Sequence, residues 1–272
     1  MKKLKIKDIE IGGDKLAIVA GPCVIESRDH ALFAAEHLTK MFKKEGIPYI
    51  FKSSFDKANR SSISSYRGPG LDEGLKILQE VKQTFNVPIF SDIHLPEQAE
   101  AVKDVLDIIQ IPAFLCRQTD LLVAAAQTGR IINIKKGQFM APWDMKNSIE
   151  KVTASGNDNI MVCERGVCFG YNNLVSDMRS IPELQKLGYP VCFDAAHSVQ
   201  LPGGLGHATD GNREYIPTLA KAAVAAGADL VYLEAHENPP AAKCDASSMI
   251  SFENLHQLVV LLSKLYKLVR NV

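Results

Sequence analysis

The stretch LAIVAGPCVIESRDHALFAAEHLTKMFKKEGIPYIFKSS, residues 16–54, contains the unit from which most of the chain is built. It begins with a continuous apolar run (16–21), continues with an amphipathic segment that ends at Gly46, and closes with a second apolar run (49–54). A continuous apolar run is typical of a strand covered on both faces. A glycine after a lysine-rich turn is a common helix end. The stretch therefore predicts two parallel strands joined by a helix.

The same alternation continues along the chain. Further apolar runs lie at 88–94, 105–114, 131–136, 160–166, 191–198 and 230–236. Eight such units in 272 residues predict an α/β protein, a (β/α)8 TIM barrel in which residues 1–272 form a single domain. A doubly wound sheet stays open as an alternative, although no G-x-G-x-x-G follows the first run.

The segment KLKIKDIEIGGDKLAIV, which leads into the first run, alternates apolar and charged residues around Gly12-Gly13. This pattern predicts an N-terminal β-hairpin that caps the bottom of the barrel.

The overall charge and apolar pattern argue against several classes of function. Lys plus Arg and Asp plus Glu number 31 each, so no global field favours nucleic acid or an anionic membrane. No apolar stretch has the length of a secretory signal core or a membrane span. The six cysteines form no C-x-x-C pair and are expected to be reduced thiols of a cytoplasmic protein.

Each of the eight runs begins apolar and ends polar. In a barrel these ends meet at one mouth, where active sites lie. Any one of these residues could be a strand end that meets solvent, but their convergence predicts an enzyme. The residues at the ends of the runs are Cys23, Lys52, Asp92, His94, Gln110, Arg117, Lys135, Lys136, Glu164, Arg165, Asp194, His197, Glu234 and His236.

The basic residues of the predicted mouth suit anion binding. Guanidinium and ammonium groups pair with phosphate and carboxylate oxygens, and Ser61 and Ser62 add hydroxyl donors. Taken alone, the segment 49–62 could equally be a solvated basic loop. The six bases are Lys52, Lys57, Arg60, Arg117, Lys135 and Arg165.

A second set of residues suits metal binding. One thiolate, one imidazole and two carboxylates favour Zn²⁺, Fe²⁺ or Mn²⁺ over Mg²⁺. The alternatives are a core histidine and a buried thiol. The set is Cys23, His197, Glu234 and Asp245.

The glycines of LPGGLG, residues 201–206, predict a flexible lid over the mouth. A phosphate-cradling loop is the alternative, although there is no Walker pattern.

Several motifs resemble the 3-deoxy-D-manno-octulosonate 8-phosphate synthase family. They occur in the order of a full-length match and are FKSSFDKANRSS, YRGPG, IPAFLCRQTDLL, NIKKGQF, ERGVCFGYNNLVSDMRS, FDAAHSVQLPGGLG and LEAHENPPAAKCDASS. The resemblance implies condensation of phosphoenolpyruvate with D-arabinose 5-phosphate and water, a step towards a lipopolysaccharide sugar. The alternative is another phosphoenolpyruvate-condensing synthase, such as 3-deoxy-heptulosonate 7-phosphate synthase.

The resemblance also implies roles for individual residues. Phosphoenolpyruvate would be held by Lys52, Lys57, Lys135 and Arg165. Arabinose 5-phosphate would be bound by Asn59, Arg60 and Ser61, and by Arg117 from a neighbouring subunit of a homotetramer. Gln138 matches a further substrate-binding residue of the mouth. Catalytic roles would fall to Lys52, Lys57, Lys135, His197 and Asp92.

Cys23 in AGPCVIES resembles the metal-dependent members of this family, because metal-independent members have asparagine there. The resemblance implies a divalent ion held by Cys23, His197, Glu234 and Asp245. Cys244, which precedes the ligand aspartate, is more typical of the metal-independent members.

Overall fold

A closed barrel of eight parallel strands forms the centre of the computed structural model, which describes residues 1–204 and 209–270. Each barrel strand pairs in parallel with its neighbour, and the last strand pairs with both the first and the seventh. The barrel strands are β3 (Ala17–Gly21), β4 (Tyr49–Lys52), β5 (Ile89–Asp92), β6 (Ile108–Ile111), β7 (Ile131–Lys135), β8 (Ile160–Glu164), β11 (Val191–Asp194) and β14 (Leu230–His236). All eight predicted strands are thus confirmed, and the doubly wound alternative is wrong.

One α-helix follows each barrel strand and packs around the outside. Helix α1 ends at Gly46, which adopts the left-handed conformation (φ 64°) that glycine tolerates. The helices are α1 (Arg28–Glu45), α2 (Leu71–Phe85), α3 (Gln98–Val102), α4 (Thr119–Gln127), α5 (Met145–Ala154), α6 (Ser180–Gln185), α7 (Ile216–Ala225) and α8 (Phe252–Arg270). None of the helices in the described part of the chain is long and apolar enough to cross a membrane.

The predicted N-terminal hairpin is present, but its turn lies elsewhere than predicted. Strands β1 (Leu4–Ile6) and β2 (Ile9–Ile11) pair antiparallel, and the reversal falls at Lys7 and Asp8. Lys7 has a positive φ of 51°, so a lysine here adopts the conformation that was expected of a glycine. Gly12 and Gly13 instead connect β2 to the barrel.

The apolar side chains of the hairpin pack into the lower end of the barrel. Leu4, Ile6, Ile9 and Ile11 join one buried cluster with residues from inside the barrel, such as Val19. The hairpin therefore caps the end of the barrel opposite the carboxyl ends of the strands.

Short elements surround the other end of the barrel. These are β9 (Val167–Cys168), β10 (Leu174–Val175), β12 (Gln200–Leu201), β13 (Asp210–Gly211) and β15 (Ile250–Ser251). The predicted lid segment, 201–206, is described only as far as Gly204, so its last two residues lie outside the described residues.

Candidate active site

A cavity opens at the carboxyl ends of the barrel strands. Of the predicted site residues, those that line it are Lys52, Lys57, Asn59, Arg60, Ser61, Asp92, Lys135, Gln138, Arg165, His197 and Asp245. Cys23 and Glu234 are fully buried. Glu234 contacts lysines of the cavity wall. The barrel thus brings together residues as far apart in sequence as Lys52 and Asp245.

Glu234 is the acidic centre of the cavity floor. Its Oε1 lies 3.5 Å from Nζ of Lys52 and 3.8 Å from Nζ of Lys57, and it accepts a 2.8 Å hydrogen bond from the hydroxyl of Tyr232. Burial alone would raise the pKa of Glu234, but His197, Lys57 and Lys52 hold it below its usual value. Glu234 is therefore a carboxylate surrounded by cations.

Strands β3 and β4 approach closely at Lys52, which lines the cavity. A Cβ on Gly21 would collide with the carbonyl oxygen of Lys52, so only glycine fits at the end of β3. Burial lowers the pKa of Lys52, and Asp92 and Glu234 oppose that shift. Lys52 Nζ also donates a 2.9 Å hydrogen bond to Ser54.

Asp194 links two of the predicted site residues. Its Oδ2 lies 2.5 Å from Nζ of Lys135 and 2.8 Å from Nδ1 of His197, and its Oδ1 accepts the backbone N–H of His197. Burial opposes ionisation of Asp194, but His197 and Lys135 hold the pKa of this carboxyl far below its usual range. With Nδ1 engaged by a carboxylate, Nε2 is the free ligand atom of His197.

Two arginines, Arg60 and Arg165, extend into the cavity from different loops. Arg60 donates a 3.0 Å hydrogen bond to Oδ1 of Asp245, and Arg165 donates a 2.7 Å hydrogen bond to Gln200. Glu164 shapes the turn before Arg165 by accepting the backbone N–H groups of Arg165 and Gly166. Both guanidinium groups are thus fixed near the cavity before an anion binds.

Arg117 does not line the cavity of its own chain. It is exposed in the segment after β6, and its carbonyl accepts a hydrogen bond from Lys151. Within one chain this arginine is separate from the other predicted anion-binding residues.

The four predicted metal ligands fall into two overlapping groups. In each group one ligand atom per residue lies within 4.8 Å of the others: His197, Glu234 and Asp245 in one, and Cys23, Cys244 and Asp245 in the other. Oδ2 of Asp245 is 3.7 Å from Nε2 of His197 and 3.6 Å from Sγ of Cys23.

This donor set fits a divalent ion. Oε2 of Glu234 is buried and has no hydrogen-bond partner among the described residues. A buried carboxylate oxygen without a partner is costly unless a cation or water satisfies it. Nitrogen, sulfur and carboxylate donors together suit a borderline metal such as Zn²⁺ or Fe²⁺.

The sequence did not identify every residue that shapes the site. The sequence pattern identifies Asp194 only as a strand end and Tyr232 only as part of an apolar run. Residues two apart on a strand face the same side, so Tyr232 could have been placed beside Glu234. The Tyr232 ring also lies 5.4 Å from Nζ of Lys52 and 5.0 Å from Nζ of Lys135.

Fold and cavity together define a (β/α)8-barrel enzyme whose mouth is built for anionic substrates. The chain belongs to the DAHP synthetase I family, whose profile matches residues 2–271. It is 56% identical over 271 residues to "2-dehydro-3-deoxyphosphooctonate aldolase" of Protochlamydia amoebophila, covering 99% of this chain and 98% of the relative. Proteins of the same name are 56% identical in Geotalea daltonii (260 residues; 95% and 96% covered) and 53% identical in Fusobacterium nucleatum (273 residues; 100% and 98% covered). The family likeness predicted from the motifs is confirmed.

Proposed function

We propose that this chain condenses phosphoenolpyruvate with D-arabinose 5-phosphate and water, giving 3-deoxy-D-manno-octulosonate 8-phosphate and inorganic phosphate. The name of the relatives, which cover nearly the full chain, supports this reaction. The observation that carries the proposal is the convergence of lysine and arginine side chains with metal-type donors on one cavity. The alternative of 3-deoxy-heptulosonate 7-phosphate synthase is not favoured, because these relatives all bear the octonate name.

Phosphoenolpyruvate would lie against the buried end of the cavity. The residues that would hold it come from three segments: Lys52 and Lys57 from the end of β4 and the loop after it, Lys135 from the end of β7, and Arg165 from just after β8. Their cationic groups suit the phosphate and carboxylate of this substrate. In the structure Lys52, Lys57 and Lys135 are paired with Glu234 or Asp194. Substrate oxygens would therefore share these cations with the protein carboxylates.

Arabinose 5-phosphate would enter along the segment that follows β4. Asn59, Arg60 and Ser61 line the outer part of the same cavity and offer an amide, a guanidinium and a hydroxyl. These groups suit a sugar phosphate, which needs both hydrogen bonds and charge compensation. Clustered bases also offset the repulsion between two polyanionic substrates and hold the reacting carbons close.

The reaction joins C3 of phosphoenolpyruvate to the aldehyde carbon of the sugar while water adds at C2. The aldehyde oxygen takes up a proton and the added water loses one. The resulting hemiketal phosphate then breaks the bond between C2 and the phosphate oxygen, its C2 hydroxyl becomes the carbonyl of the product, and the proton of that hydroxyl leaves with the inorganic phosphate. Lys135 and His197, which both contact Asp194, would hold the carboxylate of phosphoenolpyruvate and direct these proton transfers.

We further propose that a divalent ion is required, with Zn²⁺, Fe²⁺ and Mn²⁺ as candidates. Cys23, His197, Glu234 and Asp245 would hold it. When bound, such an ion supplies a Lewis acid that can polarise an oxygen of a substrate or of water.

A two-substrate phosphate-release assay tests the reaction. Phosphate should appear only when phosphoenolpyruvate and arabinose 5-phosphate are both present, and erythrose 4-phosphate should replace the sugar poorly. Equal rates with erythrose 4-phosphate would favour the alternative synthase.

Dialysis against a strong chelator should abolish activity, and metal addition should restore it. Full activity of the metal-free protein would contradict the metal proposal. The variant Cys23→Asn tests the same requirement for metal by removing one of the proposed ligands.

We propose that the enzyme is a homotetramer of the cytoplasm in which Arg117 serves the cavity of a neighbouring subunit. Arg117 is exposed and does not line the cavity of its own chain, so its side chain is available to a neighbouring subunit. All six cysteines are free thiols, as expected in a reducing compartment. Light scattering coupled to size-exclusion chromatography would measure the oligomeric state.

A further inference from the structure

Cys244 lies beside the metal-type donors. It belongs to the loop between β14 and α8, and its Sγ lies 3.1 Å from Sγ of Cys23. Both residues are almost completely buried, at 2% and 0% exposure. The two sulfur atoms and the carboxylate of Asp245 lie within 4.8 Å of one another.

Asp245 connects this sulfur group to the other donors. Its Oδ2 faces both Nε2 of His197 and Sγ of Cys23, at 3.7 and 3.6 Å. An ion that binds Asp245 therefore lies next to the sulfur pair. Cys244 directly precedes Asp245 in the chain, so the same loop presents both side chains.

Arg60 also contacts Cys244. Nη1 of Arg60 lies 2.9 Å from Sγ of Cys244 and 3.0 Å from Oδ1 of Asp245. Arg60 thus bridges the side chains of two adjacent residues, Cys244 and Asp245, and holds both against the other donors. The apolar neighbours Val24 and Met249 pack against the sulfur pair and limit access of water.

We propose that Cys244 is a ligand of the divalent ion, which would then have two sulfur donors. This inference rests on the proposed metal dependence of the enzyme. The Sγ–Sγ distance of 3.1 Å is well beyond a disulfide bond of about 2.05 Å. Two sulfurs on one zinc lie roughly 3.8 Å apart for Zn–S bonds of about 2.3 Å, so the two sulfur atoms would separate slightly when the ion binds.

Two sulfur donors would give the site a distinct metal preference. Soft thiolates favour Zn²⁺ and Cd²⁺, whereas Mn²⁺ prefers oxygen donors. The wild-type protein should therefore bind Cd²⁺ and Zn²⁺ much more tightly than Mn²⁺. Cys244→Ser should weaken Cd²⁺ and Zn²⁺ binding by roughly tenfold or more and change Mn²⁺ binding far less.

The decisive measurement needs no variant. Zinc-edge X-ray absorption of the reduced, zinc-loaded wild-type protein should show two sulfur neighbours at about 2.3 Å. One sulfur neighbour would overturn the assignment of Cys244.

Cobalt substitution provides the second measurement. Under a phosphine reductant, Cys244→Ser and Cys23→Ser should each reduce the thiolate-to-cobalt charge-transfer band to about half, since the band reports cobalt–sulfur bonds. Cys168→Ser, which changes an exposed cysteine, should leave the band unchanged. Thermal melts of the metal-free variants, including Cys244→Ala, identify any that fail to fold.

The two proposals fail in different ways. A wild-type protein that stays fully active after chelation, with no sulfur neighbour around added metal, would contradict metal dependence and this inference together. A chelator-sensitive wild-type protein with one sulfur neighbour, and an unchanged cobalt band in Cys244→Ser, would overturn only the role of Cys244.

Discussion

Oδ2 of Asp194 lies 2.8 Å from Nδ1 of His197, so a buried carboxylate orients the histidine that faces the metal-type donors. The same oxygen lies 2.5 Å from Nζ of Lys135. One fully buried side chain thus fixes a proposed metal ligand and a proposed phosphoenolpyruvate-binding residue together. This arrangement matches the carboxylate–histidine pairs that tune metal sites.

Asp194→Asn should weaken metal binding by roughly 10- to 100-fold, because an amide does not hold the same histidine tautomer. The KM for phosphoenolpyruvate should also rise, since Lys135 loses its ion pair. Metal titration and steady-state kinetics measure the two effects. Asp229→Asn is the matched control: Asp229 is also fully buried, but it lies at the start of β14, at the other end of the barrel. Equal effects of both variants on metal affinity would contradict a specific role for Asp194.

Arg60→Ala should raise the KM for arabinose 5-phosphate more than the KM for phosphoenolpyruvate, because Arg60 lines the outer part of the cavity. Loss of one charge-assisted contact should cost roughly 1.5–3 kcal/mol, or about 10- to 100-fold in kcat/KM. Arg67→Ala is the control, since Arg67 lies in the same segment but pairs with Asp56. An unchanged sugar-phosphate KM in Arg60→Ala would remove Arg60 from the site.

Asp92 should contribute to stability in a pH-dependent way. Burial opposes its ionisation, but Lys52 and His94 hold its pKa well below the usual value. A carboxyl with a depressed folded-state pKa stabilises the fold above its unfolded pKa of about 3.9, and that contribution is lost as the pH falls towards the folded value.

Asp92→Asn should therefore lower the free energy of unfolding by about 2 kcal/mol near neutral pH, and the difference from wild type should shrink below about pH 4. Denaturant titrations across this range measure it. Asp177→Asn, which removes an exposed partner of Arg179, should have little effect at any pH. A difference for Asp92→Asn that stays constant down to acid pH would show that ionisation of Asp92 does not stabilise the fold.

Complementation between two inactive variants tests the proposed role of Arg117. Arg117→Ala should impair the neighbouring cavity, whereas Lys135→Met should impair its own. In mixed oligomers, a cavity with an intact Lys135 can receive Arg117 from the other variant. Co-expressed and separately tagged mixtures should be more active than either parent. Activity equal to the mean of the two parents would contradict a contribution from the neighbouring subunit.

The strands could be predicted because local composition determines them. A strand that is buried on both faces requires a continuous apolar run, and such a run is easily recognised in the sequence. All eight runs contain a barrel strand. The turn of the hairpin was predicted wrongly because Gly12-Gly13 has the stronger turn composition. The pairing of Leu4 with Ile11 instead places the reversal at Lys7 and Asp8.

The sequence by itself determined the barrel and most of the residues that reach its mouth, because parallel strands carry their closing residues to one end; Arg117 is an exception, since it does not line the cavity of its own chain. Only the tertiary structure decided which of those residues meet. Cys23 and Cys244 are 221 positions apart in sequence, yet their sulfur atoms are in contact. The carboxylate of Asp194 contacts both His197 and Lys135. Such contacts depend on how side chains from different loops pack into one enclosed space, and no local pattern in the sequence encodes a distance between distant loops.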